Sequence, residues 1–155
     1  MALPDNRPPA PAKGRILALD VGARKLGLAV SDPLGITAQG LETLRRSNQR
    51  TDLEYLRRIL EEYEVAELVV GNPLRLSGQP GAQAEKVAAF ADLLRRRFGL
   101  PVHLWDERLT TAEAQRLLRT TDMSIRRRGQ VVDRLAATLI LQSFLDFRAA
   151  RPAPR

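Results

Sequence analysis

The chain has 155 residues, 44% of them hydrophobic, a formal net charge of +7 and no Cys. That length suits one domain with a real core, while the missing Cys excludes disulfides, thiolate catalysis and Cys-type zinc sites and agrees with a reducing cytoplasm. No apolar run approaches the roughly 20 residues of a membrane span, and the Pro- and Ala-rich start lacks a signal peptide's apolar stretch, so a soluble, cytoplasmic protein without a membrane partner is expected.

Residues 1–14 carry Pro4, Pro8, Pro9 and Pro11 without periodicity and read as a disordered arm. One domain is expected over 15–149 and a flexible tail over 150–155. Arg15 to Gly22 opens the ordered part: a continuous apolar run ending in Asp20 reads as a strand buried on both faces. Leu26 to Val30 returns as a hairpin partner, and Ser31-Asp32-Pro33-Leu34-Gly35 is turn chemistry before a third, more polar strand over Ile36–Leu44. Leu53, Leu56, Leu60 and Tyr63 give an apolar stripe to a helix over Asn48–Tyr63. A buried strand over Glu67–Gly71 follows. A second helix, striped by Ala84, Val87, Ala91, Leu94 and Phe98, is closed by Gly99. Val102 to Trp105 is a fifth strand, and Thr110 with Glu113 has capping-box spacing for a third helix to about Arg119. Thr120 to Arg128 lacks an apolar period and reads as a basic loop, ahead of a long helix over Gln130–Phe147. The order predicts an α/β fold: a mixed five-stranded sheet, three antiparallel strands and then alternating strands and helices, flanked by helices.

Three readings compete for Asp20: a capping or loop-bonded carboxylate, a metal ligand, and part of a phosphate-handling hairpin of the sugar-kinase and actin kind. Glu107 follows the fifth strand, and Asp133 lies near the start of the last helix. If the first and fifth strands are neighbours, their carboxyl ends bring Asp20 and Glu107 together, and the last helix can lower Asp133 onto them. Three converging carboxylates repel unless divalent cations neutralise them. With one His and no Cys, such a site is built from oxygen ligands, which suits Mg²⁺ or Mn²⁺. Two such ions roughly 3.5–4 Å apart would activate a water and stabilise the leaving oxygen of a phosphodiester. As helix-start residues or surface ion-pair partners, Glu107 and Asp133 would have no such role.

The positive charge points to a polyanion, chiefly nucleic acid. Arg126, Arg127 and Arg128, next to the helix bearing Asp133, and Arg24 and Lys25 in the first hairpin are the candidate nucleic-acid contacts; an ordinary solvated charge run is the alternative for the triplet. Arg95-Arg96-Arg97 ends a helix, where cations complement the dipole. His103 and Trp105 read as strand and core residues, and Ser31 and Thr111 as candidate donors to the acids.

Four segments carry a resemblance. Leu19-Asp20-Val21-Gly22 through Lys25-Leu26-Gly27-Leu28-Ala29-Val30-Ser31-Asp32, Val69-Val70-Gly71-Asn72-Pro73-Leu74, Asp106-Glu107-Arg108-Leu109-Thr110-Thr111, and Val132-Asp133-Arg134-Leu135-Ala136-Ala137 with Ile140-Leu141-Gln142 resemble, in order, the motifs of the YqgF/RuvX family. Asn72 stands where that family usually has Leu. The resemblance covers roughly residues 15–147 and implies an RNase H-like fold with a divalent-metal nuclease site on Asp20, Glu107 and Asp133. It also implies either a nuclease that processes the 5′ end of pre-16S ribosomal RNA or a Holliday-junction resolvase. A non-catalytic nucleic-acid-binding assembly or transcription factor on the same fold is a further alternative. A resolvase needs a two-fold dimer, whereas RNA trimming does not, so monomer and homodimer both stay open.

Overall fold

In the computed structural model, residues 14–73, 81–106 and 125–150 are described, with the backbone alone for 125–133. Strand β1 (Arg15–Val21) is the axis of the molecule. Its apolar run divides by strand alternation. Leu17 and Leu19 enter one core with Leu53, Leu56, Leu68, Val87 and Leu94, and Ile16 and Ala18 enter another with Val69, Ala137, Ile140, Leu141 and Phe144. A strand with a core on each face has no place for polar alternation, which is why the run is continuous.

β1 pairs antiparallel with β2 (Lys25–Ser31) and parallel with β5 (Val65–Asn72), which in turn pairs parallel with β6 (Val102–Asp106). The third strand expected over 36–44 forms as two short pieces, β3 (Ala38–Gly40) and β4 (Leu44–Arg45), both antiparallel to β2. Among the described residues the sheet thus has six strands, in the order β3-β2-β1-β5-β6 with β4 beside β2. The turn before β3 is held by the Asp32 carboxylate, which accepts from the backbone N–H groups of Leu34, Ile36 and Thr37 at 3.1, 2.7 and 2.7 Å. Those bonds, the one from Thr37 foremost, hold the Asp32 carboxyl below its usual range.

Helix α1 (Gln49–Glu62) starts at Asn48, whose side chain caps Thr51 N–H, and it buries Leu53, Leu56, Ile59 and Leu60. Helix α2 (Ala82–Phe98) buries Ala84, Val87, Ala91 and Leu94 on the same face of the sheet. It stops at Gly99, which takes the left-handed conformation (φ 67°) that a helix-ending residue adopts. Arg95 in its last turn donates to the Val102 carbonyl at 3.2 and 2.7 Å, so the basic end of α2 ties the helix to β6.

The other face belongs to α3 (Ile125–Ala149). Its C-terminal end is fastened by Arg148, which grips Glu67 at 2.7 and 3.1 Å near the start of β5. In the middle, Gln142 accepts from Ala38 N–H at 3.0 Å and donates to the Ile36 carbonyl at 3.0 Å. Nearer its start, α3 lies so close to β3 that a Cβ on Gly40 would come within 3.0 Å of Thr138 Oγ1 and 3.6 Å of the Arg134 carbonyl. The helix therefore runs from the carboxyl edge of the parallel strands down to their amino edge. The third helix expected over 110–119 lies outside the described residues, as do nearly all of the expected arm and tail. Among the described residues, no helix is long and apolar enough to cross a membrane.

Candidate active site

Asp20 is the next-to-last residue of β1 and is partly exposed at the carboxyl edge of the sheet. Two and four residues before it, Ala18 and Ile16 pack beneath α3, so alternation places Asp20 on the α3 side. Next to it, the chain turns back at once: Gly22 N–H donates to the Lys25 carbonyl at 2.9 Å and closes the hairpin.

The first and fifth strands of the sequence reading, the condition for bringing Asp20 and Glu107 together, are not neighbours. β5 stands between β1 and β6, so the ends of these two strands are separated by two strand spacings, roughly 10 Å. The sequence hides this because the inserted strand precedes β6 in the chain and is equally apolar. Leu19 sits opposite Val70, and Val70 opposite Leu104. The next residue of the middle strand is Gly71, buried and without a side chain, opposite Trp105. By alternation Gly71 shares the α3 side with Val69, and it puts no side chain between the ends of β1 and β6. Glu107 follows β6 directly but lies outside the described residues. Position 133 lies in α3, one turn before Ala137, which packs on Ala18 and Val69. Because α3 runs toward the amino edge, that turn lies nearer the carboxyl edge, where Asp20 is. Asp20 is the one acid of the three whose side chain is described.

Arg24 and Lys25 are exposed in and just after the hairpin loop. Arg126, Arg127 and Arg128 do not form a loop: α3 begins at Ile125 and includes them. The stretch that lacks an apolar period is helical all the same. Ser31, considered a donor to the acids, is at the wrong end of the hairpin. Its hydroxyl accepts from Ile16 N–H at 2.9 Å, four residues down the strand from Asp20. Trp105 behaves as a core residue, donating to Ser143 Oγ at 3.0 Å and meeting Phe144 and Phe147 edge-on. Thr111 lies outside the described residues.

Among the described residues, no three His, Asp or Glu side chains gather as a metal site. Asp20, the acid of the three with a described side chain, presents carboxylate oxygen at this edge. The single His is withdrawn from it: His103 Nε2 lies 3.3 Å from Glu67 Oε1, and its ring stacks on Phe144. An oxygen ligand of this kind suits a hard divalent cation rather than a nitrogen- or sulfur-seeking metal.

Sequence reasoning missed a second feature beside the hairpin. An open cavity of about 600 Å³ is lined by Arg24, Arg45, Arg46, Gln83 and Lys86, with Asp52 in its wall. The Arg45-Arg46 pair ahead of the Asn48 cap was its visible trace; Lys86 joins it only through the fold.

The model of a family described as "RuvX: Holliday junction resolvase" matches residues 14–147. A protein of Koribacter versatilis named "Putative pre-16S rRNA nuclease" is 60% identical over 90% of this chain and 92% of its own length. A Moorella thermoacetica protein of the same name is 55% identical over 85% of this chain and 94% of that one. Among solved structures, Thermus thermophilus RuvC superposes with a TM-score of 0.51 over 88% of this chain and 96% of its own, at 18% identity, a likeness of fold alone. With a matching model over most of its length and relatives this similar, the chain belongs to the RuvX family.

Proposed function

We propose that this chain is a divalent-metal-dependent nuclease that hydrolyses phosphodiester bonds in structured nucleic acid, and that its substrate is the 5′ region of pre-16S ribosomal RNA. The observation that carries this reading is the position of Asp20: a carboxylate at the carboxyl edge of the central strand, on the α3 side, with Gly71, which has no side chain, on the neighbouring strand. Glu107, immediately after β6, and Asp133, one turn before Ala137 on α3, are the residues that would complete an all-oxygen cation site with it. A divalent cation held there would supply charge neutralisation and an activated water. The protein's own part would be to bring together Asp20 from β1, Asp133 from α3 and Glu107, the residue after β6, so that their mutual repulsion favours a cation. Arg24 and Lys25, beside the same edge, offset the repulsion between the acids and an incoming phosphodiester.

The names of the Koribacter and Moorella relatives favour RNA. The family description favours a four-way DNA junction, which is the second reading. The test is a side-by-side assay of a 16S precursor 5′ leader and a four-way junction at matched salt with Mg²⁺ or Mn²⁺. Cleavage of the RNA leader is expected. Symmetric paired nicks in the junction with the RNA intact would move the assignment to the resolvase.

A further inference from the structure

The cavity beside the hairpin has a composition that the proposed chemistry at Asp20 does not explain. Its one acid, Asp52, is buried and already engaged: it accepts from Ser47 N–H at 3.1 Å and lies 3.8 Å from Arg46 Nε. Arg46 is equally committed, donating to the Gly22 carbonyl at 2.8 Å and lying over the Phe90 ring at 5.4 Å. These two charges cancel. Arg24, Arg45 and Lys86 remain, all exposed, from three separate parts of the chain, and among the described residues no acid is paired with any of them. Three uncompensated cations around one open space repel one another, an arrangement that is relieved when an anion enters.

The place of the cavity tells which anion. Arg24 is four residues after Asp20, so their Cα atoms are at most roughly 14 Å apart. Arg46 and Gln83 bond to the carbonyls of Gly22 and Val21, the two residues directly after Asp20, and so fix the cavity wall to the end of β1. The lining side chains are Arg, Lys, Gln, Ser, Ala and Asp, with no aromatic surface on which a base could stack. Charge without stacking contacts backbone phosphate and reads no sequence.

We propose that this cavity, through Arg24, Arg45 and Lys86, is a phosphate subsite that holds the substrate strand a few nucleotides from the cut, leading it from the Asp20 edge across the hairpin to the face of α1 and α2. The subsite rests on the nuclease reading, and it assigns to α1 and α2 a role beyond covering the sheet.

The probe is a fluorescein-labelled RNA carrying the 16S 5′ leader, bound in EDTA so that cleavage does not intervene, with anisotropy read from about 50 to 200 mM salt. R24A/R45A/K86A is compared with R58A/R96A/R97A, which removes three exposed cations from α1 and the far end of α2. The subsite triple should bind at least about tenfold more weakly, with a salt slope shallower by about 2, as three single-strand phosphate contacts require. The control triple should lose less than about threefold. All six side chains are exposed; should the subsite triple melt early, R45A and K86A singly carry the test, each flattening the slope by about 0.7. Equal losses in the two triples, or wild-type affinity and slope in the subsite triple, would overturn the subsite and leave the nuclease reading standing. A wild-type protein that binds no RNA at all would overturn both, and the cleavage assay on the same preparation tells the two failures apart.

Discussion

Asp20 combines a buried strand with a carboxylate at its exposed end, and this is visible in the residues themselves, because an apolar run that stops on Asp has few uses for the charge. Replacing it with Asn keeps size and shape and removes the negative charge. We expect Asp20→Asn to lower turnover by roughly a thousandfold or more. Its melting temperature in EDTA should stay within about 3 °C of wild type or rise, since repulsion among the acids is reduced. RNA affinity should hold or tighten. If Asp20 only bonded a loop, Asn would serve about as well, and full activity in this variant would remove Asp20 from the site. Ser31 shows the limit of residue-level reading. It follows the same motif in sequence, but antiparallel pairing carries it away from Asp20 to the backbone of Ile16. Only the hairpin register decides that, and register is not written in any one residue.

At the scale of elements, helix stripes and strand runs were legible because each element buries one face or both, and burial leaves a period. The order of strands in the sheet was not, since β5 and β6 look alike and either could lie beside β1. The start of α3 was also hidden, for its first turns lack the apolar stripe of the part beneath Ala137. What holds α3 in register is Glu67, 2% exposed, clasped by Arg148 and facing His103. Burial pushes the Glu67 carboxyl up, but hydrogen bonds from His103 and Arg148 and the Arg148 charge outweigh it and leave it below its ordinary value of 4.5. A carboxylate held low contributes stability that is complete above the unfolded value and is lost as pH falls through the folded one. Glu67→Gln leaves the Arg148 guanidinium buried without a counter-charge, a loss of about 3 kcal/mol at pH 7. The variant should also lose less stability than wild type on acidification below about pH 4.5. Denaturant titrations at pH 7 and in mild acid check both; an unchanged midpoint at pH 7 would mean that the clasp does not fasten α3.

The whole molecule carries +7, which attracts polyanions without saying where. The fold brings Arg24, Arg45 and Lys86 around the cavity beside the hairpin, and Arg126, Arg127 and Arg128 belong to the first turns of α3. Composition announced the partner class, whereas the cavity needed the fold, because its cations come from a hairpin, a strand end and a helix. Replacing Arg126, Arg127 and Arg128 with Ala should flatten the salt dependence of RNA binding by about 2 in slope; an unchanged slope would mean that the triplet does not touch phosphate. The central claim is hydrolysis of a phosphodiester backbone at an all-oxygen cation site, and the cleavage rate of a labelled 16S precursor leader, followed through chelation and metal add-back, tests it most directly. Cleavage should stop in excess EDTA, return with Mg²⁺ or Mn²⁺, and return only weakly with Ca²⁺, whose looser coordination suits in-line displacement poorly. Undiminished cleavage in excess chelator would contradict it.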